Sequence, residues 1–461
     1  MSSRTLQDLI EDVPNTAEYL RSLDPDVSSI FADLPAVQTN WIEEQRAWRE
    51  GCAFMDQSYH MVNQYIRPGD PSDGTASGRG PIELFSDLAV NSFESFTSGE
   101  PPQAKQLVAC NPDGYVIGDC ILFYLDEDTF LAVGLPALHD WIRYNAEKDE
   151  YDVSVDVVYQ PGAGATPADF RFELMGPDSF EILDEVTDDA FDGISFFEMD
   201  TVRINGHELY VLGHQMSGER GLELFGPYDY HDEIKDEIID AGEEYGLRQL
   251  GSESYRSTGT LSAWMGGYIP AIYNHEDLRG FREWLPAKSF EANYAIGGSY
   301  ESEEISDYYL TPNALNYEGI VAFDHDFIGR EAVAEMVEDP DRTKVSLVWN
   351  SEDVIDVYAS LFREGDTHQF MSLPTSTAGR YDDVRKGGEH IGVAKYRSYT
   401  YNEREMLSLG CIDVEYSEPG TEVTLVWGDE DSPKTSVERH VETTIRATVA
   451  PAPYVQRGRR D

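Results

Sequence analysis

Two carboxylates stand beside glycines at strand ends, where side-chain oxygens can receive N–H donors. Asp119 follows Gly118 inside VACNPDGYVIGDCILFYLDED, residues 108–128. In that run Asn111-Pro112-Asp113-Gly114 is dense in turn formers, and the β-branched and aromatic residues after it predict a strand. A carboxylate there either caps the local backbone or faces a cavity, and pattern alone weighs the two about equally. Glu223 lies in HQMSGERGLEL, residues 214–224, a tight glycine turn returning into a strand. In a chain this acidic a strand glutamate is ordinarily solvated; beside Gly218 and Gly221 it is a candidate bidentate acceptor for two adjacent donors. His60 closes the run Asp56-Gln57-Ser58-Tyr59-His60, and a lone histidine in such a run is more often a satisfied core or surface residue than a functional one.

The scaffold that must position these groups is large. With 461 residues, 41% hydrophobic and 12% aromatic, the chain can bury a sizeable core and is expected to form two to four domains. No run approaches the roughly 18 apolar residues of a membrane helix, and MSSRTLQDLIEDVPN has no apolar stretch of secretory type, so a soluble cytoplasmic protein is expected. Cys52, Cys110, Cys120 and Cys411 form no CxxC pair, which argues against a disulfide framework and a structural zinc site. The net charge of −53, from 34 Lys+Arg against 87 Asp+Glu, excludes nucleic acid and anionic membranes as partners. The acids are spread along the chain, a pattern like a halophile's solvated surface.

Taken in order, residues 1–35 read as a helical arm. Trp41, Gln45 and Trp48 fall at helical spacing, and a strand follows through residues 52–61. Residues 68–81, PGDPSDGTASGRGP, form a surface loop. Strand and helix then alternate to about residue 245, which points to an α+β domain of repeated halves over residues 36–270. Residues 271–340 connect onward and end in a helix for which Asp326 is a candidate cap and Gly329 permits the turn. Evenly spaced strands over residues 341–461 predict a small antiparallel barrel or sandwich.

Several stretches resemble the aminomethyltransferase (glycine-cleavage T-protein) superfamily. Residues 108–128 resemble its folate-binding strand, FELMGP at 172–177 its "LxGP" step, and DHDFIGREA at 324–332 its "DFIGREAL" helix start. SGERGLE at 217–223 resembles Thr-Gly-Glu-Asp-Gly-Phe-Glu, departing at Ser217 and Arg220. DQSYHM at 56–61 is similar to the variant in folate-dependent vanillate-type aryl-O-demethylases, as is the text from 437 to 454. The resemblance covers roughly residues 35–455. It implies an α+β T-protein-like fold with a C-terminal antiparallel β-barrel, tetrahydrofolate as cofactor, and a small-molecule methyl donor. It further implies that Asp119 orients the folate amines with Met61 and Tyr115 nearby, and that Glu223 takes the paired N–H donors of the pterin edge. Tyr255, in the text after the helix ending near 245, takes the place of a tyrosine beside the ether oxygen. Gln57, Tyr59, His60 and Arg256 then shape the substrate pocket. In this block the demethylases carry an arginine near Glu253 and a glutamate near Ser262, so the match is weaker here than elsewhere.

A methyl passed between two bound partners needs in-line alignment more than a nucleophilic side chain, and a departing phenolate needs a hydrogen-bond donor, which a tyrosine can be. The reading is therefore a tetrahydrofolate-dependent demethylase, with an aminomethyltransferase or a silent folate-binding protein as alternatives. No P-loop, GxGxxG, HExxH or GxSxG supports other chemistries. An acidic substrate would need a cation, and Arg256, Lys395 and Arg397 adjoin motifs; as side chains in an acid-rich chain they would more simply be surface ion pairs.

Overall fold

A computed structural model describes residues 4–25, 30–31, 33–69, 78–148, 150–375 and 379–455. The architecture is α+β: two open sheets and a closed antiparallel barrel. In order across the first sheet run Arg248–Gln249, Ala53–Asp56, Asp169–Met175, Gly221–Pro227, His207–Gly213 and Met199–Ile204. The second runs Gln103–Cys110, Val116–Asp126, Thr129–Gly134, Val62–Pro68 and Val153–Tyr159. The chain passes from the first sheet into the second within residues 56–62, so the DQSYHM text is the crossover between the halves. The barrel is built from Arg342–Trp349, Glu405–Asp413, Glu389–Thr400, Asp382–Lys386, Glu422–Trp427 and Thr443–Ala450.

The 111–114 turn forms as its residues dictate. Asn111 Oδ1 accepts from the Tyr115 N–H at 2.9 Å, and Gly114 takes φ +84° against the helix Arg330–Glu338, where a Cβ would meet Met336 Sδ at 3.0 Å. That helix begins at Gly329, with φ +83°, and no side chain caps it. Asp326 is solvent-exposed and only reaches Arg330 at 3.9 Å, so its expected capping role is not realised. The N-terminal helices Leu6–Asp12 and Thr16–Ser22 bury Leu6 and Leu20 in the core of the second sheet, and Tyr273, Phe281 and Tyr308 from residues 271–340 enter the same core. Of the 68–81 loop, residues 70–77 lie outside the described residues.

One helix positions chemistry and is held from outside itself. Ser252–Ser262 is helical although SESYRSTGTLS is rich in poor helix formers, which is why the sequence reads as loop. Glu44, buried on the helix Trp41–Glu50, accepts from the Gly251 N–H at 3.0 Å and the Ser254 hydroxyl at 2.6 Å, anchoring the N-terminus. Gln45 beside it donates to Ser257 Oγ at 2.9 Å and accepts from the barrel's Tyr401 N–H at 2.6 Å. Glu44→Ala should therefore lower stability by about 3 kcal/mol or more, since buried donors lose a charged acceptor; chemical denaturation monitored by circular dichroism measures it.

Glu291 is buried with neither carboxylate oxygen hydrogen-bonded among the described residues. Burial, reinforced by the nearby Asp140 carboxylate, raises it well above the usual carboxylate range. A raised acid contributes stability that is complete below its unfolded value and is lost as pH rises through the folded one. Glu291→Gln should accordingly match the native protein in unfolding free energy at pH below the ordinary glutamate value, exceed it by a margin that grows at about 1.4 kcal/mol per pH unit up to about 8, and hold that margin at more alkaline pH.

Candidate active site

A cavity of about 360 Å³ opens between the two sheets, with the helix Ser252–Ser262 on one side and Tyr317 and Lys344 on another. Asp119, on the strand Val116–Asp126, faces it from one wall. Its carboxylate accepts from Gln106 Nε2 at 2.7 Å, from the Tyr317 hydroxyl at 3.0 Å and from the Tyr268 hydroxyl. Burial raises this carboxyl above its usual range, and the two tyrosines partly offset that by bonding its charged form.

Glu223 faces the same cavity from the first sheet, directly opposite Glu173 on the neighbouring strand. Arg171, two residues before Glu173 and so on the same face, donates to Glu223 Oε1 from Nε at 2.8 Å and lies 2.7 Å from it through Nη2. His214 Nδ1 sits 3.4 Å from Glu173 Oε1 and 3.8 Å from Glu223 Oε2. Burial alone would lower His214, but the two carboxylates raise it above the ordinary histidine value. Among the described residues, Glu173 Oε1, Glu223 Oε2 and Arg171 Nη1 are buried without a hydrogen-bond partner. Leaving such atoms unmatched costs free energy. The two carboxylate oxygens and Arg171 Nη1 fit a planar ligand edge that carries adjacent N–H groups and a carbonyl, and His214 Nδ1, likewise without a hydrogen-bond partner among the described residues, lies beside both acceptors. The two carboxylates and His214 also lie within 4.8 Å of one another, but the Arg171 guanidinium already supplies positive charge at that point and opposes a dication.

Between these walls stand Gln57, Tyr255 and His60. Gln57 Oε1 accepts from Arg171 Nη2 at 3.2 Å, while Gln57 Nε2 donates to a Glu173 carboxylate oxygen and to Tyr255 Oη at 2.9 Å. Flipping the amide would set its carbonyl against Glu173 and its NH2 against Arg171, so the charges fix its orientation. Tyr255 Oη therefore accepts from Gln57 and keeps its own proton for another partner. Burial, together with Glu173 and Glu223, pushes the phenol well above its usual value, so it stays neutral and acts as a donor. His60 Nδ1 meets the Ile30 carbonyl at 3.0 Å, which puts the proton on Nδ1 and the lone pair on Nε2. Burial lowers His60 to about 4, and Nε2 has no partner among the described residues. Its ring meets Tyr255 edge-on at 5.5 Å.

Comparison with known proteins places this geometry. The GCVT N-terminal domain matches residues 26–260. A syringate O-demethylase of Sphingobium sp. is 34% identical over 458 residues, 98% of this chain and 96% of the relative. The chain belongs to the GCVT family. A sesamin methylene transferase of Sinomonas sp. is 28% identical, covering 82% of each chain. The solved aminomethyltransferase T of the glycine cleavage system from Bartonella henselae shares the fold, with a TM-score of 0.60 over 91% of each chain at 14% identity.

Within this GCVT-family fold, the cavity gathers Gln57, His60, Met61, Asp119, Glu223 and Tyr255. Tyr255 is on a helix rather than in the expected loop. Tyr59 and Tyr115 do not line the cavity. The Tyr59 hydroxyl bonds that of Tyr228 at 2.7 Å, and the Tyr115 ring packs on Tyr309 at 5.6 Å, each from a connecting segment just outside a strand. Arg256 lines an adjoining cavity. Arg397 is buried in the barrel, donating to the Ser372 carbonyl at 2.8 Å, so it is not the surface cation its setting suggested. Sequence reading missed Arg171, Glu173 and His214. The available signal was the pair of charges at alternate positions inside DFRFELM, the wrong place for them unless they face each other or a ligand.

Proposed function

We propose that this enzyme is an O-demethylase that moves a methyl group from an aryl methyl ether to tetrahydrofolate. The observation that carries the reading is Tyr255, a phenol held neutral, oriented by a locked amide, and set in the same cavity as the unmatched Glu173, Glu223 and Arg171 atoms. Tetrahydrofolate, when bound, supplies the secondary amine that accepts the methyl group. Glu223 and Glu173 receive the N–H donors of its pterin edge and Arg171 the carbonyl, which fits the unpartnered atoms on that wall. Asp119 faces the same ligand from the opposite sheet. Tyr255 donates its hydrogen bond to the ether oxygen, where negative charge grows as the carbon–oxygen bond breaks. His60, neutral with a bare Nε2, accepts from a donor on the substrate or from water. The surrounding sheets hold the partners in line, which supplies much of the rate. The four free buried cysteines suit a reducing cytoplasm, and the −53 charge suits a high-salt interior.

The test is turnover of tetrahydrofolate with a panel of methoxyarenes, followed by mass spectrometry. Appearance of 5-methyltetrahydrofolate together with the free phenol is the expected result. Methylenetetrahydrofolate and ammonia formed from an aminomethylated lipoyl carrier, with no activity on ethers, would replace this reading by the aminomethyltransferase one. Binding of tetrahydrofolate without turnover of either donor would leave a folate-binding protein.

A further inference from the structure

Large apolar side chains left on a folded surface are ordinarily scattered singly. One group here is not. Of the eleven strongly exposed ones among the described residues, five fall between Ile355 and Leu373, on the helix Ser351–Ser360 and the segment after it. The helix sends Val354 and Val357 into the barrel core, which leaves its other side to solvent. There Ile355, Tyr358, Ala359 and Phe362 recur at the three-, four- and seven-residue spacing of a single stripe. Phe362 stays in line because the chain keeps turning past Ser360, its N–H bonding the Ala359 carbonyl at 3.1 Å and that of Arg363 the Ser360 carbonyl at 3.3 Å. Ile355 is 57% exposed and Phe362 90%. Phe370, 55% exposed, widens the patch: its ring meets Tyr358 edge-on at 6.5 Å, and the Tyr358 hydroxyl donates to the Met371 carbonyl at 2.7 Å.

The charges beside the stripe are arranged about its middle. Asp356 and Arg363, each next in sequence to Ile355 and Phe362, pair with each other at 3.1 Å, and both side chains are largely exposed. A pair in that setting stabilises the monomer little, so exchanging its partners costs little. If a second copy is turned antiparallel over Ala359, Ile355 falls opposite the partner's Phe362, while Asp356 meets the partner's Arg363 and Arg363 meets the partner's Asp356. Ala359, the smallest side chain of the stripe, then sits at the crossing point, where packed helices approach to about 8–10 Å. Other occupants fit less well. A basic helix would leave Arg363 opposed by like charge, and an acidic one would meet Glu352, Glu364 and Asp366, all exposed.

We propose that this helix face joins two copies of the chain about a two-fold axis at Ala359, with the apolar stripe as the buried centre and the exchanged Asp356 and Arg363 pairs as its rim. The inference stands apart from the methyl-transfer reading, since none of these residues lines the Tyr255 cavity. Association works against charge. Each copy carries −53, so the two repel until salt screens them. Salt also screens the rim pairs, but two local attractions are outweighed by the repulsion of the whole charge, and the dimer tightens as salt rises.

Sedimentation velocity on the full chain, at micromolar concentrations and from about 0.1 M to about 2 M KCl, reads the association directly. The expected result is a concentration-dependent dimer whose dissociation constant falls as salt rises. Phe362→Ser and Ile355→Ser remove apolar surface without adding charge, and each should raise that constant about tenfold or more, with thermal unfolding by circular dichroism reporting an intact fold. Two charge variants test the register at the lowest salt that sustains the dimer. Asp356→Arg sets like charges against each other and should weaken association, and adding Arg363→Asp should restore it. A monomer at every salt and concentration overturns the proposal, as does a dimer of native affinity in both serine variants, which would lie on another face. Native affinity in Asp356→Arg overturns the two-fold register, and the proposal with it.

Discussion

Tyr255→Phe should lower kcat for ether demethylation by about 10²-fold or more while leaving the dissociation constants of donor and tetrahydrofolate close to native. The ring volume is conserved, so the packing against His60 and the helix Ser252–Ser262 has no reason to change. What disappears is one hydrogen bond that strengthens as the oxygen gains charge, and such a bond acts on the transition state more than on the bound substrate. His60, edge-on to the Tyr255 ring, is the neighbouring candidate for a substitute donor. The structure argues against that, because its proton is on Nδ1, bound to the Ile30 carbonyl, and a ring lowered to about 4 does not take a second proton near neutrality. Single-turnover rates across phenols of different acidity test the point further: without the Tyr255 hydroxyl, poorer leaving groups should slow disproportionately. A variant retaining native kcat with every donor would mean that the oxygen departs without help from this residue.

How much of this was legible in the residues depended on whether the signal was local. The 111–114 turn and Asp119, the helix Trp41–Glu50 and the barrel strands follow from turn chemistry and periodicity over a few positions, and they stand where those rules put them. The helix under Tyr255 does not follow, because its serines, threonines and glycine disfavour helix and its anchor, Glu44, comes from distant sequence. Arg171 and Glu173 were hidden for a related reason. Inside a strand buried on both faces they read as interruptions of an apolar run, and their partners arrive from two other segments, Gln57 from one and His214 with Glu223 from the other. Lys395 was picked out only because cations are scarce, while its burial depends on a bulge that spacing cannot reveal. Asp326 failed as a cap because Gly329, in a left-handed conformation, starts the helix closer in.

The second large effect is expected at Glu223. Replacing it by Gln keeps shape and one carbonyl acceptor but removes the charge that Arg171 bonds, and it presents an N–H where the unpartnered Oε2 stood. On the proposed placing of the pterin edge at that wall, tetrahydrofolate would then meet a donor, so affinity should fall by about 1.5–3 kcal/mol, roughly ten- to a hundredfold. Glu173→Gln should weaken binding too and should also slow turnover, because Glu173 fixes the Gln57 amide that orients Tyr255. Asp119→Asn is the contrasting case. Asp119 already accepts from Gln106, Tyr268 and Tyr317, so an amide there must place its NH2 against at least one existing donor, and the loss should appear in stability as well as affinity. Equilibrium binding of tetrahydrofolate measured beside denaturation midpoints separates the contributions. Native affinity in both Glu223→Gln and Asp119→Asn would mean that the cofactor does not lie between these two carboxylates, and the donor and acceptor roles assigned across the cavity would have to be redrawn around another ligand.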